Sequence, residues 1–104
     1  MPVQERDFML VLVSYDVKTS SEDGQKRLRR VAKVCLDHGQ RVQNSVFECL
    51  VDQTQFTMLK KRLLDEIDED LDSLRFYFLG NNWYGKVEHV GAKPTVDLEG
   101  SLII

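Results

Sequence analysis

A chain of 104 residues with 42% hydrophobic side chains forms one domain, large enough to bury a core but too small to enclose a deep pocket, so a site built at a subunit interface is expected. A formal net charge of -3 excludes a protein that coats nucleic acid through its total charge, and any phosphate binding must come from a local patch. No apolar run approaches the roughly 20 residues of a membrane span, and "MPVQERDF" carries no secretion signal, so a cytoplasmic protein without membrane partners is expected.

Residues 8 to 13, "FMLVLV", form a continuous apolar run, as in a central strand covered on at least one face. Asp16 follows at the carboxyl end of this strand, after Tyr15 and before the turn-formers "KTSS". Such an acid either caps the following turn or is a ligand held at the end of a sheet. One carboxylate makes a poor magnesium site, and a two-fold dimer that brings two copies together would repair the deficiency.

The next segment opens with Ser20 or Ser21 as N-cap and carries Glu22 and Asp23 in its first turn, where carboxylates suit the helix dipole. Leu28, Val31, Ala32, Cys35 and Leu36 recur at helical steps, and Gly39 is placed to end the helix. Lys26, Arg27, Arg29, Arg30, Lys33 and Arg41 stand against a single Asp37, a basic stretch that is either a solvated helix face or a track for a phosphate backbone. His38 is expected to bond carbonyls at the helix end, and neither it nor His89 has neighbours at zinc-ligand spacing.

In "QRVQNSVFECLV" the hydrophobic phase slips by one, with Val42 and Val46 of one parity and Phe47, Cys49 and Val51 of the other. A slip exchanges sheet faces, so the segment reads as two short strands around a turn at Asn44 and Ser45. Cys35 and Cys49 read as buried reduced thiols. A second helix, from about Thr54 to Asp68, carries the stripe Phe56, Leu59, Leu63, Leu64 and Ile67. The acids crowded at its end, Asp65, Glu66, Asp68, Glu69, Asp70 and Asp72, read as a solvated or protein-docking patch rather than a calcium loop.

"LRFYFLG" then alternates as a strand, with Leu74, Phe76 and Phe78 on one face. The order strand, helix, hairpin, helix, strand predicts an α+β fold, a ferredoxin-like βαββαβ sandwich over residues 1 to 80. "GKVEHVG" adds a further strand. Residues 81 to 104 are expected to pack on a partner subunit's sheet edge, with folding back on the chain's own edge as the alternative. Trp83 and Tyr84 either stack on nucleic acid or pack against that tail.

The apolar strand ending in "YDV", the arginine-bearing first helix, the hairpin "RVQNSVFEC" and the strand "LRFYFLG" together resemble the Cas2 family, small CRISPR-associated proteins of spacer acquisition. The closing "GNNWYGKVEHVGAKPTVDLEGSLII" is similar to that of subtype I-C. The resemblance implies a homodimer and a metal-dependent endonuclease of CRISPR antiviral defense, in which Asp16 of each subunit is catalytic and holds Mg2+, with Mn2+ able to substitute. It further implies Tyr15 as a residue that positions substrate, with a packed aromatic as the alternative, Arg27, Arg30, Arg41 and Ser45 as nucleic-acid-binding positions, with Ser45 alternatively closing the turn, and Phe47 at the dimer interface or in the core. Its substrate is duplex DNA, or single-stranded RNA in other relatives, and its partner is the Cas1 integrase. The alternatives are a non-catalytic DNA-binding scaffold of that integrase, and a ferredoxin-like dimer that senses a small molecule.

Overall fold

A computed structural model of the chain describes residues 8–79 and 87–92. Its elements are β1 (Met9–Asp16), α1 (Glu22–His38), β2 (Gln40–Gln43), β3 (Val46–Val51), α2 (Gln53–Glu66), β4 (Ser73–Leu79) and β5 (Val87–Gly91). They build one antiparallel sheet in the order β2-β3-β1-β4-β5, the ferredoxin-like α+β arrangement with one added edge strand.

Local chemistry sets the element ends. The Ser21 hydroxyl accepts from the Gly24 N–H at 3.0 Å and starts α1. The start of α2 falls earlier than the apolar spacing suggests, because Asp52 and Gln55 form a reciprocal capping box. The helix also ends earlier, at Glu66, since Ile67 is extended and the Asp68 N–H turns to the Asp72 carboxylate instead of an intrahelical carbonyl. At the end of α1, His38 Nδ1 lies 3.1 Å from the Val34 carbonyl, the expected role.

Both helices cover one face of the sheet. Val11, Val13 and Tyr15 of β1, Phe47, Cys49 and Val51 of β3, and Leu74 and Phe76 of β4 meet Val31, Val34 and Cys35 of α1 and Phe56, Leu59 and Leu63 of α2 there. Phe56 meets Phe76 and Phe78 edge-on, with ring centroids 5.3 and 5.0 Å apart. The stripe on α1 differs from the expected one. Val34 is buried and Leu36 is exposed, because Leu36 lies roughly 140° around the helix from Val31.

The phase slip at residues 42 to 47 is the β2–β3 hairpin, with a register shift between Arg41 and Gln43. Cys35 and Cys49 are buried free thiols. Burial pushes their pKa values up to about 12 and about 11, so neither is a thiolate nucleophile at neutral pH.

Residues 87–91 pair with β4 of the same chain, from Tyr77↔Val87 to Ser73↔Gly91. The expectations for Trp83, Tyr84 and residues 93–104 lie outside the described residues. Among the described residues, no helix is long and apolar enough to cross a membrane.

Candidate metal and nucleic-acid site

Strand alternation decides where Asp16 points. Val11, Val13 and Tyr15 face the helices, so Leu10, Leu12, Ser14 and Asp16 face the other way. On that second face the strands align Leu50, Leu10 and Leu79 in one row, and Glu48, Leu12 and Tyr77 in the next. A third row holds Val46, Ser14, Arg75 and His89. Asp16, opposite Ser73, stands exposed at the rim of this face, which no helix among the described residues covers.

Among the described residues, no group of three or more His, Cys, Asp or Glu side chains is placed to hold a metal ion. The Asp16 carboxylate is a hard oxygen donor of the kind magnesium takes, one or two per ion, with water and phosphate completing the shell. The donor set therefore fits magnesium when a second copy of the chain supplies its own carboxylate.

The other expected site residues divide into three environments. Tyr15 is 4% exposed and is a core residue. Its ring stacks on Phe47 with centroids 6.0 Å apart, its N–H donates to the Ser45 carbonyl at 3.1 Å, and its hydroxyl donates to the Asn44 carbonyl at 3.4 Å. Burial, with the Cys35 thiol adding and Arg41 opposing, raises its pKa, so the phenol stays protonated. Phe47 is completely buried within the single chain, on the helix side, so of its two expected places, core or dimer interface, it takes the core. Tyr15 likewise has no surface on which to stack a substrate.

Arg41 packs against the outer side of this cluster. Its guanidinium sits 4.9 Å from the centroid of Phe47 and donates to the Asn44 carbonyl, while the residue stays exposed. Ser45 lies in the turn, is half-buried, and its carbonyl ties the hairpin to β1 by accepting from the Tyr15 N–H.

The basic face of α1 lies beside the acidic patch, not opposite it. Arg30 Nε donates to Glu66 at 2.8 Å, and Asp37 accepts from Arg62 at 2.9 Å and from Lys33 at 3.4 Å. These pairs are at least partly exposed and leave the cationic heads within reach of solvent. Lys26 and Arg29 are exposed on the same helix.

Arg27 is turned the other way. Its side chain is 12% exposed and pairs with Asp72, which is wholly buried, at 2.7 Å. This corrects two expectations together: Arg27 is not part of the solvent-facing basic row, and Asp72 is not part of the solvated acidic patch. In the sequence Asp72 is one of a run of acids that begins at Asp65. The available signal was its position immediately before β4, where an acid faces the end of β1 instead of solvent.

Comparison with known proteins adds the family. Residues 9–87 match the family model described as CRISPR associated protein Cas2. The chain is 63% identical over 98 residues to a protein named CRISPR-associated endoribonuclease Cas2 from Nitratidesulfovibrio vulgaris, covering 94% of this chain and 96% of that one. It is 66% identical over 95 residues to one named CRISPR-associated endonuclease Cas2 from Halalkalibacterium halodurans, covering 91% and 99%. A crystal structure of Streptococcus pyogenes Cas2 at pH 6.5 superposes with a TM-score of 0.66 at 60% identity, over 77% of this chain and 96% of that one. With the ferredoxin-like sheet, the strand-end aspartate and the "QNSVFE" hairpin in place, the chain belongs to the Cas2 family of CRISPR-associated proteins.

Proposed function

We propose that this protein is a magnesium-dependent endonuclease that acts as a homodimer in spacer acquisition, together with the Cas1 integrase. The observation that carries the reading is Asp16, an exposed carboxylate at the end of the central strand and at the rim of the open sheet face. The names of the relatives support phosphodiester cleavage and divide over substrate, endoribonuclease for one and endonuclease for the other. Duplex DNA is the favoured substrate and single-stranded RNA the second.

Asp16 and the partner's Asp16 would hold the ion, with Mn2+ able to replace Mg2+. When bound, such an ion polarises a phosphodiester and lowers the pKa of water. The chain's own residues supply the remaining work. Lys26, Arg29 and Arg30 on α1, with Arg41 at the hairpin, offer positive charge to a phosphate backbone. The Tyr15–Phe47 stack braces the hairpin against β1 and fixes where Arg41 stands.

The second reading is a DNA-binding scaffold between Cas1 subunits, with no cleavage of its own. The exposed cations of α1 favour it, because they serve binding without Asp16. The two readings separate in a cleavage assay on labelled duplex DNA and single-stranded RNA, with and without magnesium, using wild type and Asp16→Asn. Under the nuclease reading Asp16→Asn loses on the order of 100-fold in magnesium-dependent rate while duplex affinity holds. Cleavage by Asp16→Asn at the wild-type rate removes the residue from the chemistry. A wild type that binds duplex but cuts neither substrate leaves the scaffold.

A further inference from the structure

The buried Asp72 carboxylate gathers four hydrogen bonds: from the Lys18 N–H at 3.0 Å, the Asp68 N–H at 2.9 Å, Arg27 Nε at 2.7 Å and Arg27 Nη2 at 3.2 Å. These donors come from the loop after β1, the loop after α2, and α1. The Asp72 carbonyl also accepts from the Ala92 N–H at 3.0 Å, which adds the end of β5. Arg27 completes a ring by reaching the Lys18 carbonyl at 3.5 Å. Lys18 approaches α1 so closely that a Cβ on Gly24 would run into its carbonyl oxygen.

Lys18 lies two residues beyond Asp16, and Asp16 itself stands opposite Ser73, the residue after Asp72. The end of β1 is thus held from both sides by one carboxylate and its arginine. A guanidinium fork suits this task because it fixes direction as well as distance, which a point-charge ammonium does not.

We propose that the Arg27–Asp72 pair is a positioning device that fixes the strand end carrying Asp16, so that Arg27 acts through Asp16 and never touches phosphate. Its consequence for cleavage rests on the nuclease reading above; the positional claim does not. Two substitutions of Arg27 separate the roles. Arg27→Lys keeps the charge but loses the fork, so a phosphate contact survives and a positioning pair does not. Arg27→Gln removes the charge, which lowers the salt dependence of duplex binding by about one ion if Arg27 meets phosphate.

The measurements are amide hydrogen exchange at Lys18 relative to Leu59 in the core of α2, the slope of duplex affinity against salt, and the magnesium dependence of cleavage. In Arg27→Lys, exchange at Lys18 rises about tenfold more than at Leu59, and the half-saturating magnesium rises about tenfold. The salt slope of Arg27→Gln equals that of wild type. Asp72→Asn reproduces the exchange pattern, and the Arg27→Lys, Asp72→Asn double variant is no worse than either single change. Unchanged relative exchange at Lys18 in both single variants, or a slope reduced by one in Arg27→Gln, overturns the proposal. The raised exchange together with a wild type that shows no Asp16-dependent cleavage keeps the positioning role and rejects the nuclease reading.

Discussion

A carboxylate sealed from water survives only where donors surround it, and Asp72 has two backbone amides and a guanidinium. Burial pushes its pKa up, but the Arg27 bond and the Asp68 and Lys18 amides together outweigh burial and hold the group below the usual carboxylate value. A group with a depressed folded-state pKa stabilises the fold above its unfolded value of about 3.9 and loses that contribution as pH falls through the folded value. The Asp72 contribution to the thermal midpoint is therefore constant near neutrality and is lost as pH falls below about 4, while His89, its pKa held low by burial and Arg75, costs stability already as pH falls below about 6.5, in wild type and variant alike. Asp72→Asn lies lower at pH 7, by on the order of 10 °C, and shows a shallower acid limb, so the two curves converge in acid. Asp37, also held low, first by Arg62, titrates in both proteins and cancels from the difference. Parallel curves from pH 7 to pH 2 would show that the Asp72 charge contributes nothing to the fold.

At the scale of elements, much was legible because each strand and helix carried its own period. The slipped parity after Val42 gave the hairpin, and the apolar steps of α1 and α2 gave both helices. Helix ends were less legible, since the capping box of Asp52 and the pull of Asp72 on Asp68 are decided by side-chain contacts, not by period. Asp16 was legible as a strand-end acid and packed aromatics were readings open for Tyr15 and Phe47, but alternation alone could not choose between core and interface, because it says which residues share a face and not which face is sealed. The same holds for Gly91, an ordinary strand residue in the sequence. It takes φ +123°, and a Cβ there would strike the Asp72 carbonyl oxygen and the Ser73 backbone. Gly91→Ala should cost about 2 kcal/mol in denaturant unfolding and raise exchange at β4 amides before those of β1. An unfolding midpoint equal to that of wild type would mean that β5 adapts and that its close seat on Asp72 is not required.

The molecule as a whole is two-sided. One face of the sheet is sealed by both helices, while the other presents Leu10, Leu12, Val46, Leu50, Tyr77 and Leu79, with Leu50 64% exposed. The run "FMLVLV" is apolar at consecutive positions, the pattern of a strand covered on both faces, yet the described residues supply cover on only one. A second copy laid on the open face would supply the other and would bring two copies of Asp16 toward one another from the same rim. Leu12 lies in the middle row of that face, so Leu12→Glu places a charge where the partner must dehydrate it, and the dimer dissociation constant should rise about 100-fold or more. Light scattering after gel filtration reads the mass directly. Leu36→Glu is the matched control, because Leu36 is equally apolar and 54% exposed but sits on the outer surface of α1. If the open face is the dimer surface, Leu12→Glu becomes monomeric and loses magnesium-dependent cleavage with its Asp16 intact, while Leu36→Glu keeps both. A Leu12→Glu protein that remains a dimer moves the interface elsewhere, and then a site shared by two copies of Asp16 loses its geometric basis even if the protein still cuts.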